Sequence, residues 1–144
     1  MWADTLLALE RGHLERLALW GGGSVLVGTL LLAWLAWRRR AAPLLQHFAM
    51  QTAAWGAIDL AICAWGWRGL ALRNYAGAQE LVSFLWLNIG LDIGYVLVGV
   101  TLAATCWRLG PRPAGIGAGV GIMLQGLALF LLDLRLILLI GPLQ

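Results

Sequence analysis

Four long apolar stretches follow one another along the chain, each bounded by charged residues or proline. They cover residues 17–37, 44–67, 81–107 and 114–140. Each has at least the roughly 20 residues that an α-helix needs to cross a bilayer. The short connections 38–43 and 108–113 make antiparallel neighbours of helices 1 and 2 and of helices 3 and 4. The pattern predicts an all-α polytopic membrane protein, an antiparallel bundle of four transmembrane helices with short loops, in a single domain over residues 1–144.

The remaining segments are more polar. The middle connection, residues 68–80, is the longest of the three. Before the first apolar stretch, five leucines between positions 6 and 17 share one arc of a helix, with Glu10 inside that arc. We expect residues 4–16 to form a short helix at the membrane interface. Acidic residues there leave no positive n-region, so we expect a retained membrane anchor and not a cleaved signal peptide.

Composition supports a membrane location. Apolar residues make up 61% of the chain and charged residues 12%, and the mean hydropathy is +0.82. Soluble domains have about a quarter of their residues charged. These values exclude a soluble enzyme and a nucleic-acid-binding domain.

The basic residues predict an orientation. The net charge of +3 comes from ten arginines, and five of them lie in the two short connections: Arg38, Arg39, Arg40, Arg108 and Arg112. Because basic residues favour the cytoplasmic side, we expect these connections to be cytoplasmic and both termini to be outside, in a bacterial inner membrane. The other side carries four arginines, so dual topology is an alternative.

Four charged residues fall inside the apolar stretches: Asp59, Asp92, Asp133 and Arg135. Each would cost about 2.5–3.5 kcal/mol if it faced lipid at mid-bilayer, so we expect them to face the bundle interior. Counted from the outer helix ends at 1.5 Å per residue, they lie within one slab about 10 Å thick in the outer half of the membrane. Four polar residues complete this candidate proton or solute site: Asn88, Tyr95, Gln51 and Gln125.

Helical spacing divides these residues among faces. In helix 3, Asn88, Asp92 and Tyr95 follow the i, i+4, i+7 pattern of a single face. Arg135 is two residues from Asp133 and therefore points to the other side of helix 4. We expect Arg135 to neutralise the aspartate of helix 2 or that of helix 3.

Pairs of glycines indicate close helix packing. Gly117 and Gly121 lie four residues apart in helix 4, and Gly90 and Gly94 repeat this spacing on the face of helix 3 opposite to its polar residues. Small residues at this spacing let two membrane helices approach closely. Helix 3 is thus expected to pack on two faces, either as a fully interior helix or at a dimer interface.

Two functions fit these residues. The first is a transporter or proton-coupled carrier, in which the three aspartates exchange protons or bind a solute. The alternative is a non-catalytic membrane subunit or assembly factor whose glycine faces dock another protein. An enzyme acting on lipid would need a nucleophile or metal constellation, and none stands out in the sequence. His13 and His47 lie near opposite faces, so they do not jointly ligate a haem. The expected partners are membrane lipid and a second copy or larger membrane complex, without cofactor, metal or nucleic acid.

Overall fold

The computed structural model describes residues 2–143, which form four antiparallel α-helices and a final 3-10 turn. The helices are α1 (Trp2–Trp37), α2 (Pro43–Arg68), α3 (Tyr75–Arg108) and α4 (Pro113–Ile140), and the turn is Gly141–Leu143. Three helices, α1, α3 and α4, are long and apolar enough to cross a membrane. α2 has 26 residues, but its polar residues lower its hydropathy. The predicted all-helical membrane bundle is confirmed.

Two expected boundaries are wrong at the end of the bundle that holds the α2–α3 connection. Residues 4–16 are not a separate interfacial helix, because α1 runs through them without interruption for 36 residues. Leu6 is only 1% exposed and packs against Leu136 and Ile140 of α4 and against the start of α3. The connection itself shrinks to residues 69–74, since Asn74 caps α3 by accepting a hydrogen bond of 2.9 Å from the Gly77 amide.

The helices pack as two hairpins, α1–α2 and α3–α4, which contact each other mainly through α2 and α4. Within residues 2–143, the extensive contacts are those of α1 with α2, α2 with α4 and α3 with α4, and a smaller one joins α1 to α4. Among the described residues α3 has its extensive contact with α4, so α3 lies at the edge of the bundle, beside α4.

Proline occupies the first position of α2 and of α4. A proline there disrupts no helical hydrogen bond, because the N–H at that position would have no partner within the helix.

Small residues occupy the helix contacts. A Cβ atom placed on Gly21 would lie 2.9 Å from the Gly56 carbonyl oxygen, so α1 and α2 approach backbone to backbone. The same closeness joins α3 to α4, because a Cβ atom on Gly119 would lie 2.6 Å from the Gly99 carbonyl oxygen. Large apolar side chains, by contrast, are exposed along all four described helices. Exposed leucine and tryptophan around a small-residue interior are typical of helices packed in lipid.

The two predicted glycine pairs have different surroundings. Gly117 and Gly121 lie against α2, where a Cβ atom on either glycine would meet Leu44 or Gln51. A Cβ atom on Gly90 or Gly94 would meet nothing within 4 Å. The expectation that α3 is a fully interior helix is therefore wrong, because its second face has no neighbouring helix within residues 2–143.

Candidate functional site

All four helices line one cavity of about 710 Å³. The three aspartates predicted from the sequence reach it from three different helices: Asp59 from α2, Asp92 from α3 and Asp133 from α4. Close packing places them there, since a Cβ atom on Gly126 of α4 would lie 2.8 Å from the Asp92 carbonyl oxygen. Three carboxyl groups thus share a single chamber.

Asp59 and Asp92 are incompletely hydrogen bonded. Asp59 is fully buried and accepts a hydrogen bond from the Gln125 side-chain amide through Oδ2, while its Oδ1 atom has no partner within residues 2–143. The Oδ2 atom of Asp92 also lacks one among the described residues. A buried polar atom without a partner is costly, so both carboxyl groups are suited to an additional donor or cation.

Asp133 is held by two neighbours. The Nε2 atom of His13, in α1, lies 3.3 Å from its Oδ1 atom. The Asn88 side chain of α3 approaches the same carboxyl group, and the carboxyl groups of Asp133 and Asp59 interact electrostatically with Asp92. A change of charge at Asp59 or Asp133 therefore alters the electrostatic environment of Asp92.

An ion pair and an aromatic pair bound the cavity at its two ends. Near the α2–α3 connection, the Arg73 guanidinium donates to the Glu10 carboxylate across 2.7 Å. Toward the two short connections, the rings of Trp55 and Tyr95 lie 4.9 Å apart at an interplanar angle of 59°. Both rings line the cavity and bridge α2 and α3, so they form its floor.

Three candidates predicted from the sequence do not line the cavity. Arg135 is exposed and forms no ion pair with the aspartate of α2 or α3 within residues 2–143, so that expectation is wrong. Because Asp133 faces the cavity, a residue two positions later faces away from it. Gln51 is half-buried against Gly121, and Gln125 donates a hydrogen bond to Asp59. Asn88 and Tyr95 do line the cavity.

Sequence reasoning missed Glu10, His13 and Arg73 as cavity residues. A signal was present, because Leu6, Glu10, His13 and Leu17 repeat the i, i+4, i+7, i+11 spacing of one helical face. An acid inside an apolar arc indicates a face covered by another part of the protein. No such spacing identifies Arg73, which lies in a connection.

The matching family model covers residues 16–134 and is described as a family of unknown function (DUF6992). The chain belongs to this family. The matched segment includes the three cavity aspartates and ends before Arg135. No curated protein and no solved structure matches the chain.

The cavity combines several carboxyl groups with apolar walls. Within residues 2–143, no group of three or more His, Cys, Asp or Glu side chains is arranged to hold a metal ion. The carboxyl groups are spread around a chamber of about 710 Å³ whose remaining walls are mostly apolar. A positive charge there interacts with several carboxylates at once.

Proposed function

We propose that this membrane protein is a small carrier that binds a positively charged solute, or protons, in its cavity. The observation that carries the proposal is the convergence of Asp59, Asp92 and Asp133 on one cavity from three helices. Intramembrane acids are rare because they are expensive, and they commonly mark ion or substrate pathways.

The unpartnered oxygens of Asp59 and Asp92 support this function. In a medium of low polarity, a carboxyl group is stable either as a carboxylate beside a cation or as the neutral, protonated acid. Binding of a cationic solute would therefore release protons from the cavity, and loss of the solute would return them. This exchange would couple solute binding to a proton gradient without any covalent step.

Cation binding with proton release tests the proposal. The protein is placed in lipid nanodiscs in weak buffer, and radiolabelled tetramethylammonium and tetraphenylphosphonium are added with a pH-sensitive dye. We expect saturable binding of at least one cation together with proton release. Asp92→Asn is expected to weaken binding at least tenfold, whereas Glu80→Gln, which changes an exposed carboxylate outside the cavity, is not.

Saturable binding unchanged in Asp92→Asn would contradict the cavity as the site. Absence of both cation binding and proton release in the folded wild-type protein would contradict the proposed function itself. Size-exclusion profiles and circular dichroism of each variant establish that the bundle is intact.

One observation favours the alternative, a non-catalytic subunit or assembly factor. Gly90 and Gly94 leave open space on α3, as a docking face for another membrane helix would. Under that alternative, Gly94→Leu abolishes a stoichiometric complex in native mass spectrometry and Asp92→Asn leaves it intact. If the protein is a carrier, Asp92→Asn weakens cation binding and Gly94→Leu leaves it unchanged.

The proposal includes a multi-pass orientation in a bacterial inner membrane, with the two short connections in the cytoplasm and the termini outside. Five arginines in those connections support it. It includes no catalytic reaction. Labelling of Cys106, near the end of α3, by a membrane-impermeant thiol reagent from the cytoplasmic side alone is the expected outcome.

A further inference from the structure

We infer that the cavity takes an amphipathic organic cation, which enters from the lipid bilayer through a lateral opening between α2 and α3. The inference rests on the proposed function, since it names the ligand class of the same cavity and the route to it. Five observations carry it, concerning the helix arrangement, the cavity rim, the acids behind that rim, the aqueous end and the cavity lining.

The helix arrangement leaves a gap in one wall. α3 packs along α4, but the described residues show no extensive contact of α3 with α2 or with α1. On the α1 side, the buried cluster around Leu6 joins α1 to α3, whereas no such cluster joins α2 to α3 among the described residues. The side-chain pair Trp55 and Tyr95 bridges them at the floor.

The rim of this gap is apolar and accessible. Ile58 and Ile62 of α2 and Phe84 and Leu91 of α3 all line the cavity, yet they are between 46% and 55% exposed. Because these residues lie in the apolar part of their helices, the surface that they share faces lipid rather than water. The cavity is therefore open sideways, toward the bilayer.

The acids lie directly behind this rim. Asp59 follows Ile58 and Asp92 follows Leu91 in the chain, so each carboxyl group is one residue away from an opening residue. A molecule with an apolar body and a positive group can occupy both environments at once. Its body replaces lipid at the rim and its charge meets the carboxyl groups inside.

The aqueous end is less suited to entry of a cation. There the Glu10–Arg73 ion pair lies across the cavity, with its Nε and Oε1 atoms 2.7 Å apart. The buried cluster around Leu6 joins α1, α3 and α4 at the same end. A route through this end would have to separate both contacts, whereas the lateral opening requires neither.

Size and polarity of the cavity favour an organic ligand over a small inorganic ion. A volume of about 710 Å³ lies within the range of roughly 300–1,000 Å³ that is typical of small-molecule sites. Aromatic rings of Trp55 and Tyr95 at its floor also attract organic cations through their π faces. A lone inorganic cation would leave most of this volume and its apolar wall without contacts.

Binding of two probe cations to the full chain in phosphatidylcholine nanodiscs tests the inference, with empty nanodiscs as background. Tetraphenylphosphonium enters bilayers and tetramethylammonium stays in water. We expect tetraphenylphosphonium to bind at least tenfold more tightly. Leu91→Trp, which narrows the opening, should slow its association about tenfold, and Phe84→Ala, which widens it, should accelerate it.

Leu87→Trp is the matched control, because Leu87 is a 62% exposed residue of α3 that does not line the cavity. We expect it to leave both rates unchanged. Equal slowing by Leu87→Trp and Leu91→Trp, or preferential binding of tetramethylammonium with loss in Asp92→Asn, would overturn the lateral route while the cation-binding function stands. Tetraphenylphosphonium binding that is insensitive to Asp92→Asn and without proton release would overturn the proposed function.

Discussion

The imidazole of His13, in the N-terminal part of α1, lies 3.3 Å from the carboxyl group of Asp133 in α4. These residues are 120 positions apart, and their helices share only a small contact surface. The side chains are 13% and 10% exposed. This contact therefore ties the beginning of the chain to the last helix and covers one wall of the cavity.

Loss of the His13 ring should destabilise the bundle through Asp133. In His13→Ala the buried carboxyl group loses a partner, and we expect a decrease of about 1–3 kcal/mol in the free energy of unfolding. Unfolding in a denaturing detergent titration measures it. A double-mutant cycle with Asp133→Asn should give a coupling energy of at least about 0.5 kcal/mol, and strictly additive effects would contradict a direct interaction.

The Glu10–Arg73 pair should contribute more than a surface pair. Arg73→Ala leaves Glu10, whose side chain is 7% exposed, without its partner, and we expect about 1–3 kcal/mol of destabilisation. Glu10→Gln in the same chain should restore part of it.

The control for this ion pair is the exposed pair of Arg11 and Glu15, 3.3 Å apart within α1. Glu15→Ala should change the free energy of unfolding by less than about 0.5 kcal/mol. Equal effects of Arg73→Ala and Glu15→Ala in the detergent titration would show that the Glu10–Arg73 pair stabilises the fold no more than an exposed ion pair does.

Three consecutive glycines of α1 should respond in opposite ways to alanine. A Cβ atom on Gly21 would lie 2.9 Å from the Gly56 carbonyl oxygen, whereas one on Gly22 or Gly23 would meet nothing within 4 Å. Gly21→Ala should cost about 1–3 kcal/mol because the helices must separate. Gly22→Ala should raise the apparent melting temperature, since alanine favours a helix by up to about 1 kcal/mol over glycine. Stabilisation by Gly21→Ala would disprove the close contact.

Gly126 should control the shape of the cavity. A Cβ atom at this position would lie 2.9 Å from the Tyr95 Cβ atom, so Gly126→Ala must move α3 away from α4. We expect about 1–3 kcal/mol of destabilisation and weaker cation binding. Gly94→Ala, on the open face of the same pair of helices, should cause neither. Full cation binding in Gly126→Ala would show that the shape of the cavity does not depend on the close packing of α3 against α4.

The helices themselves were largely predictable from the chain. Apolar length and proline placed α2 and α4 within one residue of their observed starts and ends. α3 begins six residues earlier than its apolar stretch, because the segment after Asn74 is rich in alanine and favours a helix without being apolar. Hydropathy detects the part of a helix that lipid surrounds, but it does not detect helical turns that extend beyond the lipid.

The site was predictable only in part, and for a geometric reason. Helical periodicity shows where a residue lies around its own helix, which correctly grouped Asn88, Asp92 and Tyr95 on one face. It does not show which helix lies opposite. Asp133 contacts His13, because the extension of α1 beyond its apolar stretch brings an imidazole to that depth.

The distribution of side-chain size also determines how this protein assembles. Glycine, alanine and polar groups lie between the helices, while most large apolar side chains point outward. Burying such small groups releases little hydrophobic free energy, so the helices associate mainly through close backbone contact and polar bonds formed after insertion. In water the same chain would conceal its outward leucines and tryptophans by aggregating. The bilayer is thus a structural component of this protein, and stability measured in one lipid or detergent is a property of that mixture rather than of the polypeptide alone.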